Sequence, residues 1–151
     1  MKKIRARDLG IPFEGTPGAF NAITDVPGIT VGYSTIIEET DARTGVTIIH
    51  PRGMDNPIPV FAGVHSFNGN GEMTGAAWVD EGGILEGPIG LTNTHSVGIV
   101  HHSIIKWQVE HHKLTQSWLT PLVAETADAW LNNMNGFFVK EHHALEAINS
   151  A

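Results

Sequence analysis

Alternation at a period of two residues constrains this chain more than any other feature. In "GITVGYSTI" (residues 28–36), Ile29, Val31 and Tyr33 alternate with Thr30, Gly32 and Ser34. That pattern belongs to an extended strand, whose successive side chains point to opposite faces. "VTIIHP" (46–51) reads as a second strand, stopped by Pro51 and Gly53, with the polar "IEETDARTG" as the turn before it. "IPVFAGVHSF" (58–67) carries small or apolar residues on both faces and is expected to be a third, interior strand. "GPIGLTNT" (87–94) reads as a further short strand.

The period then changes. In "SVGIVHHSIIKWQVEHH" (96–112), Val97, Val100, Ile104 and Trp107 fall at helical spacing, with Ser96 placed to cap the helix. "KEHHALEAINSA" (140–151) sets Ala144, Leu145 and Ile148 on one face of another helix. "WLTPLVAETADAWLNN" (118–133) fits two patterns. As a helix it lines up Leu119, Leu122, Val123, Thr126 and Trp130; as a strand it puts Glu125 on a face with Val123, Ala127, Ala129 and Leu131. Pattern alone favours the helix. Strands preceding helices make this a mixed α/β chain of the layered α+β kind. With 151 residues, no repeat and no linker, residues 1–151 are expected to form a single domain portion.

A net charge of −7 argues against nucleic acid or an anionic membrane as partner, since both require a basic footprint. The basic run "KKIRAR" (2–7) is short enough to be a solvated arm. The chain has no cysteine, which removes disulfides, thiolate metal sites and a cysteine nucleophile. No run approaches the ~20 apolar residues of a membrane span. No apolar stretch of a signal peptide follows Lys2 and Lys3. A cytoplasmic protein is the expectation, and the composition is equally compatible with export.

Glycines at 69, 71 and 75 in "FNGNGEMTGAAWVDEGG" (67–83) suggest a phosphate loop, but the third is one place too late for a dinucleotide fingerprint. Gly82 and Gly83 interrupt any long helix after it, and the Gly-Lys-Ser/Thr of a Walker loop is missing. A sharp turn at the end of a strand, using the conformational freedom of Gly69 and Gly71, is the simpler reading. Nine histidines (50, 65, 95, 101, 102, 111, 112, 142 and 143) include three adjacent doublets, but no pair has zincin spacing and nothing selects a ligand set. No metal or other cofactor is expected. Among Ser34, Ser66, Ser96, Ser103, Ser117 and Ser150, none sits in a nucleophile elbow or a Ser-x-x-Lys motif. Glu72, Asp80, Glu81 and Glu125 remain as carboxylates beside glycine or apolar residues, each readable as a solvated surface acid.

Five blocks in order carry a more specific signal: "RARDLGIPFEGTPGAFNAITDVPGITVG", "RTGVTIIHP", "NGNGEMTG", "GPIGLTNTHSVGIV" and "VAETADAWLNNMNG". Together they resemble the N-terminal part of the α subunit of the DmpA-type L-aminopeptidase/D-esterase family, which includes the β-peptidyl aminopeptidases. The resemblance implies a four-layer αββα sandwich like that of N-terminal-nucleophile hydrolases, with its own connectivity. It also implies a precursor that cleaves itself into α and β subunits, the new N-terminal serine of β being the nucleophile. The implied partners are the rest of the same precursor, other αβ units in a homo-oligomer, and a small peptide, amide or ester substrate.

The chain ends at "HALEAINSA", ahead of the family's glycine-rich "GGGTGM" segment, so the nucleophilic serine is expected beyond Ala151 and no catalytic residue is assigned within the chain. By the same resemblance Glu125, in the "VAET" block, pairs with the substrate's free ammonium, and Trp118 walls the same pocket. Ala127 stands where relatives can carry an aromatic residue, leaving the pocket wider. The resemblance makes the "VAET" block a strand, against the pattern-based helix. Two alternatives are an acyltransferase of the ornithine acetyltransferase type and a truncated chain persisting as a non-catalytic binding or assembly module.

Overall fold

The computed structural model describes residues 4–38, 41–111, 114 and 116–151. Strands β1 (Thr30–Glu38) and β2 (Ala42–His50) form a long antiparallel hairpin, paired from Thr30 opposite His50 to Glu38 opposite Ala42. Both strands run further into the polar "IEETDARTG" than its composition suggests. Once the register is set, each added pair satisfies two more backbone groups whatever the side chains.

The expected interior strand over 58–67 is a correction. Only Val60–Phe61 (β3) is extended in a ladder, and it pairs with Ile84–Leu85 (β4) in a separate two-stranded sheet. Phe61 is 97% exposed and Phe67 92%. The apolar character of this run therefore does not face this chain's core. Between the two short strands lies helix α1 (Ala76–Gly82), closed by Gly83, as the glycine pair indicated.

Strand β5 (Ile89–Asn93) pairs with β2, and helix α2 (Val97–His111) follows it. The residue capping this helical region is Asn93, not Ser96. Asn93 Oδ1 accepts from the Ser96 backbone N–H at 3.1 Å, across a short 3₁₀ turn over Thr94–Ser96. Its amide also donates to Thr44 Oγ1 at 2.8 Å, fixing the helix start to β2. Strand β6 (Leu122–Thr126) then lies parallel to β5, from Ile89 opposite Leu122 to Asn93 opposite Thr126. The pattern-favoured helix over 118–133 is thus overturned. A chain leaving β5 through α2 makes a crossover, and an extended segment after it can complete the sheet beside its parallel partner.

The main sheet has the order β1-β2-β5-β6, and helices α2 and α3 (Glu141–Asn149) cover one face. Ile36, Val46, Ile48 and Val123 meet Val97, Val100, Ile104 and Trp107 of α2 and Ala144, Ala147 and Ile148 of α3 in one cluster. Each fully buried aliphatic side chain there contributes about 1.5–3 kcal/mol relative to exposure. The Trp107 indole is satisfied as well as buried, donating to Asn149 Oδ1 at 3.1 Å. Gly32 lets α3 sit directly on β1, because a Cβ there would lie 2.0 Å from the Ala147 carbonyl oxygen. On the opposite face Tyr33 and Ile37 are 64% and 65% exposed. Among the described residues, no helix is long and apolar enough to cross a membrane.

Candidate functional site

Strand β6 has a second neighbour besides β5. Residues 72–74 of the glycine block run antiparallel along its other side, with Met73 opposite Ala124. Glu125 N donates to Glu72 O, and Thr74 N to Val123 O, each at 3.0 Å. The Thr74 hydroxyl accepts from Val123 N at 3.0 Å and donates to Pro121 O at 2.8 Å, locking the start of the strand. This ladder puts the most glycine-rich stretch of the sequence beside Glu125.

The Glu125 side chain turns toward Gly71. A Cβ on Gly71 would lie 3.0 Å from Glu125 Oε1. Gly69 and Gly71 are not among the residues with positive φ, so the expectation that they supply turning freedom is corrected. What Gly71 supplies is room for a carboxylate. Around it opens a cleft of about 310 Å³, whose lining includes His65, Ser66, Asn68, Asn70, Glu72 and Glu125. The loop forming its wall is tied locally: Asn70 N donates to Asn68 Oδ1 and the Ser66 hydroxyl to Asn68 O, both at 2.9 Å. Such Asx turns fix loop shape without a ladder. Among the described residues, no lysine or arginine lines this cleft.

Trp118 lies just ahead of β6, is 65% exposed, and is not among the residues lining the cleft. Ala127, directly after the strand, is exposed. Asn68 and Glu72, both in the opening glycine block, do line the cleft, and the pairing of Glu72 with Glu125 is what sequence reasoning missed. Thr74, which hydrogen-bonds β6 twice, was the available signal.

The histidines are dispersed. Among the described residues, no group of three or more His, Asp or Glu side chains could hold a metal ion. His50 is buried, its Nε2 3.2 Å from Ile148 O. His111 stacks on Trp107, and His95 on Phe137. Burial, with His102 adjacent, holds the His101 pKa below the ordinary histidine value, and burial with His142 does the same for His143. His112 lies outside the described residues. Ser34 donates to Glu146 Oε2 at 2.9 Å beneath α3, and Ser103 to Ile99 O at 2.7 Å. Ser66, Ser103 and Ser150 donate to backbone carbonyls, which cannot act as a base, and Ser34 is buried under α3 with its carboxylate partner.

The chemistry this arrangement supports is recognition of a cation by carboxylate, in an open cleft at a sheet margin. Comparison with known proteins gives the chain its relatives. The sequence pattern of peptidase family S58 matches residues 21–151. A β-peptidyl aminopeptidase, BapA, of Sphingosinicella microcystinivorans is 50% identical over 155 residues, spanning 97% of this chain and 39% of its own length. Its namesake from Sphingosinicella xenopeptidilytica is 48% identical over 157 residues, with the same coverage.

Among solved structures, the L-aminopeptidase D-Ala-esterase/amidase of Ochrobactrum anthropi matches with a TM-score of 0.91 and 47% identity, over 98% of this chain and 44% of that one. It is described as a prototype of the serine aminopeptidases and a new variant among the Ntn-hydrolase fold. A β-aminopeptidase of Burkholderia sp. matches with a TM-score of 0.90 at 47% identity, over 97% of this chain and 43% of that one. The chain therefore spans about two fifths of the length of the relatives it matches.

Proposed function

The chain belongs to peptidase family S58 and carries part of an N-terminal-nucleophile-hydrolase type of α/β fold, and from that premise we propose that it forms the amine-recognising part of a self-processing serine aminopeptidase. In this reading the 151 residues are one domain portion, working with the remainder of an α subunit and with a β subunit. The nucleophile is a serine beyond Ala151, freed as a chain end by self-cleavage. It attacks the carbonyl of the substrate's first residue, expels the amine or alcohol leaving group, and leaves an acyl-enzyme that water hydrolyses. Substrates are small peptides, amides or esters with a free amino end. The αβ units assemble into a homo-oligomer in the cytoplasm.

One observation carries the assignment. Glu125 is held by backbone pairing on both sides of β6, its carboxylate faces an open cleft, and among the described residues no lysine or arginine lines that cleft. An aminopeptidase needs a fixed negative group at a set distance from its nucleophile, because that distance lets it prefer the amino end of a chain over an internal bond. Trp118 contributes a wall to the same pocket once the rest of the enzyme is in place. The relatives reported above are named as aminopeptidases, which favours hydrolysis over acyl transfer to an amino acid acceptor.

The test is Glu125→Gln in the assembled, processed enzyme. Loss of a charge-assisted contact corresponds to about 1.5–3 kcal/mol, so kcat/KM for aminoacyl anilides falls about tenfold to a hundredfold while self-processing continues. An unchanged kcat/KM removes Glu125 from this role.

A further inference from the structure

We infer that Glu72 is a second cation-binding carboxylate of this cleft, and that the site takes an N-terminal residue bearing a basic side chain as well as a free amine. The inference rests on the reading of Glu125 as the ammonium ligand. Glu125 N donates to Glu72 O, Thr74 N donates to Val123 O, and Met73 stands opposite Ala124. In an antiparallel ladder that pattern makes Glu72 and Glu125 direct cross-strand neighbours, with Cα atoms roughly 5.5 Å apart and side chains on the same face. Both residues line the cleft of about 310 Å³.

Like charges directly opposite one another destabilise a ladder. Among the described residues the lining holds no lysine or arginine, and His65 is its one basic side chain against the two carboxylates. A single ammonium bound at Glu125 leaves the Glu72 charge unmatched. A residue of the lysyl or ornithyl type carries two ammonium groups on a short flexible chain, and these match two carboxylates at cross-strand spacing. Glu72 is exposed and Glu125 less so. The better-shielded Glu125 therefore takes the amino end, and Glu72, at the mouth, takes the side chain.

The experiment titrates norleucinamide, lysinamide and N-acetyl-lysinamide as competitors of aminoacyl-anilide hydrolysis by the assembled, processed enzyme. Norleucinamide has a free amine and a side chain of nearly the same shape, without the second charge. Lysinamide is expected to bind about threefold more tightly than norleucinamide, as suits an exposed ion pair. Glu72→Gln brings lysinamide to the norleucinamide level, norleucinamide itself weakening less than lysinamide, whereas Glu125→Gln weakens both by similar factors. N-acetyl-lysinamide, lacking the free amine, binds more weakly than either. Equal binding of lysinamide and norleucinamide by the unaltered enzyme, or a preference that survives Glu72→Gln, overturns the role of Glu72 alone. Norleucinamide binding that is insensitive to Glu125→Gln overturns the amine reading itself, and this inference with it.

Discussion

Glu125 and Gly71 are far apart in sequence, yet each constrains the other. The carboxylate lies where a Cβ on residue 71 would come within 3.0 Å of Oε1. That neighbour is the far end of a flexible side chain, not backbone, so Gly71→Ala displaces the carboxylate without breaking the ladder. The expected result is a thermal midpoint within about 2 °C of the parent, as for surface substitutions near ±0.5 kcal/mol. Norleucinamide binding should weaken about threefold by the same titration; unchanged binding would mean that Glu125 is not held in position by this contact. Of the two site residues assigned from the "VAET" resemblance, Glu125 opens onto the cleft, while Trp118 stays exposed outside it. Neither was marked by composition or spacing, because a lone glutamate reads as a solvated acid until its surroundings are known. Glu72 was visible only as an acid in a glycine block. Its partner is fixed by strand pairing, which local sequence does not encode.

At the scale of elements, period was informative where an element buries one face and misleading where it does not. Helices α2 and α3 were legible because their buried residues, such as Val97, Val100, Ile104 and Trp107, follow the helical period. Strand β1 was read instead from Ile29, Val31 and Tyr33, the face that this chain leaves uncovered. Strand β6 was not legible, because a five-residue segment packed between β5 and residues 72–74 shows too few repeats to exclude a helix. The run 58–67 misled in the other direction, its apolar residues facing out of this chain. Helix α3 gives the sharpest mutational contrast with Gly71. At Gly32 the clash is with the Ala147 backbone at 2.0 Å, which cannot swing aside. Gly32→Ala must therefore push α3 off the sheet, loosening the contacts of Ala147 and Ile148. Urea denaturation should register a loss of about 1–3 kcal/mol, the cost typical of overpacking. A loss below about 0.5 kcal/mol would show that α3 does not rest on β1 as closely as described.

The described residues form a four-stranded sheet with α2 and α3 on a single side, beside the small β3-β4 sheet. The main sheet with its two helices makes two layers of the four expected from the resemblance. Its uncovered face is not a polar surface. Tyr33, Ile37 and Leu91 stand there with Thr35, Thr47 and Thr126, bordering a groove of about 440 Å³. A sheet exposed on one side ordinarily alternates apolar-in with polar-out. In β1 the covered residues Gly32 and Ser34 are instead smaller and more polar than the exposed Tyr33 and Ile37. This inversion makes sense if a second sheet stacks on that face, as in an αββα sandwich, with the catalytic serine carried on the far side. Tyr33→Asp separates the two situations. In the chain alone Tyr33 is 64% exposed, so the substitution should leave stability within about 0.5 kcal/mol. In the assembled enzyme it would bury an unpaired carboxylate between sheets, at a cost of several kcal/mol. Size-exclusion chromatography and the appearance of the cleaved subunits should then show that assembly and self-processing fail together. Normal processing by the Tyr33→Asp enzyme would leave this face without a partner sheet, and the active site would have to be completed from another direction.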